Sequence, residues 1–330
     1  MRRRDFIALV AGAATPLPRK LHAQEAQKLR RVSVLLALTE KDPEAIKRVK
    51  AFRLGMRDLG WIEGRNVHIE YRFAGSNLET IQKHVAELIR LSPDVIVGNA
   101  TPVMAALQPA TSTIPIVFVV VNDPVGQGFI SGLAQPDLNI TGFSFIEPEI
   151  VGKWINLLSD VMPNLSRVAL MFNPDTAPYY DVYLRSFRQL KQHTSVEVAA
   201  AQVRNVAEVD LAVAELGREP RGGLMAAGDP YILSVRETIL ASAIRYRVPI
   251  ISPYRQFVTE GSLMSYGPDT ADIFRRSSSY VDRILRGEPP GKLPAQSPIK
   301  FELVVNLGAA KALGLSVRDA FAALADEVIE

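Results

Sequence analysis

From residue 30 onward, short apolar runs alternate with stretches whose apolar residues recur at helical spacing. Val32–Leu38, Val67–Phe73, Val95–Val97 and Pro115–Val121 read as strands. Between them, Glu44–Leu59, Leu78–Leu91 and Pro102–Pro109 read as helices, the first with Ile46, Val49, Phe52, Met56 and Leu59 at helical spacing. The cycle restarts with strands over Val168–Phe172, Glu197–Val203, Gly223–Ala227 and Val248–Ile251, and helices over Tyr183–His193, Val206–Leu216 and Ser234–Tyr246. Runs that are apolar throughout belong to parallel sheets covered by helices on both faces. Two such series, joined near Phe145–Ile150, predict an α/β protein of two Rossmann-like lobes, and 330 residues suit two domains better than one.

The turns at the strand ends narrow the location of function. Five strand ends run into a polar residue and then proline: Thr101-Pro102, Asp123-Pro124, Asn173-Pro174, Asp229-Pro230 and Ser252-Pro253. Thr, Asp, Asn and Ser are favoured helix caps, and proline is favoured at the first helical position. In open parallel sheets these turns lie at the carboxyl ends of the strands, where ligands bind. Shared between two lobes, they predict that the lobes face each other with helix N-termini lining the gap.

The amino terminus has a different character. Arg2, Arg3 and Arg4 precede an apolar stretch from Phe6 to Leu17, and Ala23 supplies a small residue for cleavage. The stretch is shorter than the roughly 20 residues a membrane-spanning helix needs, and it reads as an export signal over residues 1–23. Arg3-Arg4-Asp5-Phe6-Ile7 resembles the twin-arginine pattern. Its removal lowers Lys+Arg from 38 to 33 and Asp+Glu from 35 to 34, so the net charge moves from +3 to −1. No clustered excess of cations survives for a nucleic acid.

Catalytic chemistry finds little to stand on. Cys 0 removes disulfides, thiolate metal sites and cysteine nucleophiles. The histidines, His22, His68, His84 and His193, are scattered without metal-ligand spacing. Gly126, Gly128 and Gly132 approach a dinucleotide fingerprint, but the last glycine falls one residue late. A G-x-S-x-G elbow and a phosphate-binding P-loop are both absent. Glu147 and Glu149 flank Pro148 in the joining segment and read as a solvated hinge. No catalytic residue, cofactor or metal is expected.

Longer motifs carry a family resemblance. Leu59-Gly60-Trp61-Ile62-Glu63-Gly64-Arg65-Asn66-Val67 with Ile69-Glu70-Tyr71-Arg72, Pro115-Ile116-Val117-Phe118 with Asp123-Pro124-Val125-Gly126, and Leu263-Met264-Ser265-Tyr266-Gly267-Pro268-Asp269 are three of them. Lys300-Phe301-Glu302-Leu303-Val304-Val305-Asn306 and Ala310-Lys311-Ala312-Leu313-Gly314-Leu315 close the series. Together they resemble the ABC-transporter substrate-binding protein family related to the tryptophan-binding lipoproteins, over roughly residues 31–330. The resemblance implies type I periplasmic-binding-protein architecture with three interlobe crossings. Lobe 1 is expected over 30–145 and 268–295, and lobe 2 over 146–267 and 296–330.

It also implies jobs for particular residues. Thr101 caps the Pro102 helix, whose first amides suit a ligand carboxylate. Asp123 is placed either to receive an ammonium group or only to cap Pro124. Asn173 and Asp229 are the matching positions of lobe 2 and touch the ligand on closure. Tyr266 offers an aromatic face in the returning crossing or packs the hinge, and Tyr179, Tyr180 and Tyr254 are further candidates for the cleft wall. The expected partners are a small polar metabolite, an amino acid or related zwitterion, and an inner-membrane ABC permease. A cysteine-free chain carries no lipoprotein anchor, so a monomer free in the periplasm is expected. A sensory binding protein and an exported α/β enzyme are the rival readings.

Overall fold

The computed structural model describes residues 29–136, 138–180, 182–185, 196–218 and 221–330. The export-signal expectation lies outside these residues, as does most of the helix expected over Tyr183–His193.

The first sheet has the order β2-β1-β3-β4-β5, all parallel, from β1 (Arg30–Leu36), β2 (Val67–Phe73), β3 (Val95–Asn99), β4 (Ile116–Val121) and β5 (Ile140–Ser144). Every residue of β3, β4 and β5 is buried, as a sheet sandwiched between helices requires. α1 (Pro43–Asp58), α2 (Leu78–Leu91) and α3 (Thr101–Ala110) make the crossovers. α1 starts sharply because Asp42 accepts the Glu44 amide at 2.8 Å and Pro43 occupies the first turn. Its buried stripe is Ala45, Arg48, Phe52 and Met56; Ile46, expected on that face, is 56% exposed. The apolar periodicity is legible in the sequence, but its phase is set by a buried arginine.

The second sheet has the order β12-β11-β10-β9-β8-β6-β7. Its strands are β6 (Arg167–Phe172), β7 (Glu197–Gln202), β8 (Gly222–Ala226), β9 (Ile250–Ser252), β10 (Met264–Pro268), β11 (Phe301–Asn306) and β12 (Glu327–Ile329). Among the described residues only the β10–β11 pair of this sheet is antiparallel. α4 (Ile150–Val161), α5 (Val206–Gly217), α6 (Pro230–Ser234), α7 (Arg236–Tyr246), α8 (Arg255–Thr259) and α9 (Thr270–Leu285) come in chain order. The helix expected over Ser234–Tyr246 begins earlier and breaks at Val235, giving α6 and α7.

Three passages join the two sheets: Ser144 to α4, Pro268 to α9, and the extended segment before Phe301. α9 returns to the first lobe, where Ser278 donates to the Phe52 carbonyl at 3.1 Å and Arg275 meets Asp58 at 3.0 Å. Gln296, on the third passage, exchanges backbone hydrogen bonds with Gly142 and Ser144 at 2.9 Å each. In α4, the fully buried Trp154 donates to the Tyr266 carbonyl at 2.8 Å and so ties the first passage to the second.

Candidate functional site

The carboxyl ends of β3 and β4 are strained. Ala100 has φ +74°, Val120 +58° and Asp123 +39°, three non-glycine residues in a region that L side chains avoid. For a β-branched valine inside a strand this is a genuine outlier. Each such residue costs about 1–3 kcal/mol and persists where surrounding bonds over-determine it, which is common at functional sites. Here the Ala100 amide donates to the Val119 carbonyl at 3.0 Å, Asn99 Nδ2 donates to the same oxygen at 3.2 Å, and the Phe145 amide donates to the Val121 carbonyl at 2.9 Å.

Val120 forms a bulge, visible as a register shift between Val119 and Val121 against β5. An extra residue in the strand re-aims everything after it. Asn122 consequently crosses to the other lobe: its Nδ2 donates to Tyr179 Oη and to the Gly228 carbonyl, both at 3.0 Å, and its Oδ1 accepts from Tyr183 Oη at 3.3 Å. Burial pushes the Tyr179 and Tyr183 phenols well up, so both keep their protons for donation.

Beneath them, fully buried Asp229 accepts from the Asn173 amide at 2.8 Å, from Thr176 Oγ1 at 2.7 Å and from the Tyr231 amide at 2.9 Å. Desolvation nevertheless wins and raises its carboxyl from 3.8 to about 6. The folded state therefore holds this proton between about pH 4 and 6, where the unfolded chain has released it. Its contribution is most favourable below pH 4 and is lost as pH rises to about 6, by about 3 kcal/mol at ~1.4 kcal/mol per unit. Denaturant titrations at several pH values should show that decline in the wild type and a flatter profile in Asp229→Asn. An equal slope in both proteins would clear Asp229 of the effect.

A second set of contacts closes the opposite side. Arg236 of α7 bridges Asp42 of lobe 1 at 2.9 Å and Glu260 at 3.0 Å, and the Ser76 and Ser234 hydroxyls meet at 3.4 Å. Tyr254, after β9, stacks on Phe145 at 5.4 Å and lies under the Arg48 guanidinium at 5.8 Å. The cavity among Glu44, Tyr254, Ser265 and Thr270 is about 20 Å³, close to one water. Through these contacts the lobes are shut against each other. A groove of about 600 Å³ lies instead along the outer side of α1, between Ile46, Arg53 and Phe73.

The sequence-derived residues are distributed unevenly over this region. Thr101 is buried there but does not cap: Ala100 holds the cap position, and Thr101 Oγ1 accepts the Asn122 amide at 3.4 Å. Asp123 closes a turn on the Gly126 amide at 2.9 Å, with no helix after Pro124 among the described residues. Asn173 makes a similar turn on Asp175, and Ser252 accepts the Tyr254 amide at 3.3 Å. Of the five turns, Asp229-Pro230 alone acts as a capped helix start. Asn173 and Asp229 are brought together. Tyr266 is not brought to them: its ring packs on Phe301 at 5.7 Å and under Lys153 at 5.8 Å, beside the crossings. Tyr179 and Tyr254 line the interlobe contact, whereas Tyr180 stacks on Phe172 of β6.

Asn122, Tyr183 and Arg48 escape the sequence reading. Arg48 has a signal, since a charge lies at the helical spacing of Ala45 and Phe52. Acidic groups gather at the rim, where burial first, then the Asp123 and Glu149 charges, raise the Glu147 carboxyl. That makes the joining segment more than a solvated hinge.

The family model described as "ABC transporter substrate binding protein" matches residues 32–329. A tyrosine-binding protein of Clostridioides difficile is 24% identical over 273 residues, covering 83% of this chain and 78% of that protein. A crystal structure of a conserved domain protein from Vibrio cholerae superposes with a TM-score of 0.84 at 28% identity, over 91% of this chain and 100% of the other. An L-Trp complex from Streptococcus pneumonia gives 0.82 at 20% identity, again over 91% and 100%.

Proposed function

Because the chain belongs to the ABC transporter substrate-binding protein family, we propose that it captures an amino acid or related zwitterion between its lobes in the periplasm and presents it, as a monomer, to an inner-membrane permease. Extracytoplasmic ligand capture is typical of the family, and the export signal over residues 1–23 would carry the chain to that compartment. One observation carries it: strained strand ends of one lobe meet buried polar and aromatic side chains of the other, through Asn122, where a bridging ligand would exchange places with direct contacts. Asp123, Glu147 and Glu149 offer negative charge for an ammonium group, and Tyr179, Tyr183 and Tyr254 supply apolar walls with polar tips. The relatives named for tyrosine and L-Trp support the choice of ligand class.

Capture then works by population. A ligand that touches both lobes favours the shut form by its differential affinity, and one held by a single lobe shifts nothing. Thermal-shift screening against amino acids, sugars, urea derivatives and small carboxylates tests this. A true ligand at 100 times its Kd should stabilise the protein by about 2.7 kcal/mol. That corresponds to a Tm rise of roughly 5–10 °C at this domain size. Enzymatic conversion of the ligand during incubation would overturn the binding role, and a silent panel would overturn the ligand class.

A further inference from the structure

We propose that Arg48 is the receptor for the ligand's carboxylate, an assignment that rests on the binding-protein reading above and fixes its substrate class as carboxylates. Arg48 is 2% exposed, among the largest fully buried side chains of the protein. A buried guanidinium has five N–H groups to satisfy, and unmet buried donors are costly. Nε donates to Glu44 at 3.1 Å, and Nη1 makes a long contact of 3.4 Å to Asn99 Oδ1. Nη2 has no hydrogen-bond partner.

Glu44 Oε1, which accepts from Arg48 Nε, also accepts from the Thr270 hydroxyl. The Nη1–Nη2 edge is one of the sides of a guanidinium that take a carboxylate through two parallel hydrogen bonds. Its surroundings place it at the ligand's entry. Asn99 ends β3 and is followed at once by strained Ala100 and by Thr101 at the start of α3. On its other side lies the Tyr254 ring, which belongs to lobe 2 and departs with it when the lobes separate. The Phe274 ring, also 5.8 Å from the guanidinium, stays with lobe 1 through α9 and fixes the cation in place. Opening thus uncovers a preformed, partly unsatisfied cation at the strand ends.

The test compares matched probes on the full protein by calorimetry: L-tyrosine and L-tryptophan against L-tyrosinamide and L-tryptophanamide, within a panel of all common amino acids and neutral sugars. Wild type should bind at least one amino acid and bind its amide at least about 10–100-fold more weakly, the range set by loss of a charged hydrogen bond. Arg48→Lys should weaken the amino acid similarly, since a lysine cannot form the fork. Arg48→Met paired with Glu44→Gln, which avoids a lone buried charge, should abolish binding while the melting transition remains cooperative. Equal affinity for acid and amide, or an unweakened double variant, overturns the assignment and leaves the binding role standing. A sugar bound in place of amino acids does the same. No binding by any probe class overturns both. Should the double variant fail to fold, the acid–amide comparison on wild type decides alone.

Discussion

Asn122→Ala should let the lobes part while leaving each of them folded. The side chain makes three hydrogen bonds to the facing lobe, two donated to Tyr179 and Gly228 and one accepted from Tyr183. At 0.5–1.5 kcal/mol each, their loss removes about 2–4 kcal/mol from the shut form, a factor of roughly 30 to several hundred in the open-to-shut ratio. The core does not depend on them, so the unfolding midpoint should move little. A chain with Cys 0 makes the measurement direct. Spin labels on Ile46→Cys and Leu211→Cys, both exposed and on opposite lobes, report the separation by pulsed electron resonance. A distance distribution that is the same with and without Asn122 would show that other contacts, such as Arg236 with Asp42, carry the closure.

The second large effect concerns the passages between the lobes. Trp154 is fully buried, and its indole N–H satisfies the Tyr266 carbonyl. Trp154→Ala should cost about 3–5 kcal/mol as a core truncation and leave that carbonyl unmet. The Tm should fall by roughly 6–20 °C. Trp154→Phe keeps most of the volume and should lose only the hydrogen bond, about 1–3 kcal/mol. A loss under about 1 kcal/mol for the alanine variant, below the range for such truncations, would mean that α4 repacks without it. Uncoupling of the lobes would show as two unfolding steps where the parent gives one.

These two residues mark the boundary of what the sequence displays. Strands such as Ile116–Val121 and helices such as Leu78–Leu91 are readable because burial on both faces leaves an unbroken apolar run and burial of one stripe leaves a helical period. The positions of the five turns come from strand polarity in the same way. Their chemistry does not. A single bulge at Val120, invisible in an unbroken apolar run, hands the interlobe role to Asn122 and leaves Asp123 tied to Gly126. A side chain at Gly126 would collide with that Asp123 carboxylate, with 2.0 Å to its nearest oxygen, so the two residues form one turn. Of the two roles open to Tyr266, the structure shows the packing one. Its motif fixes a crossing strand, but alternation within β10 turns its ring toward Phe301.

The return of α9 to the first lobe bears on how such a chain is born. The groove formed by Phe52, Gly55 and Asp58 waits for Ser278 and Arg275, which are made only after most of the second lobe. No early half can finish first and shelter the rest. Until the ribosome has passed Leu285, the leading portion of the nascent chain still presents an uncovered apolar seam. Chaperones have a reason to stay until that last stretch emerges.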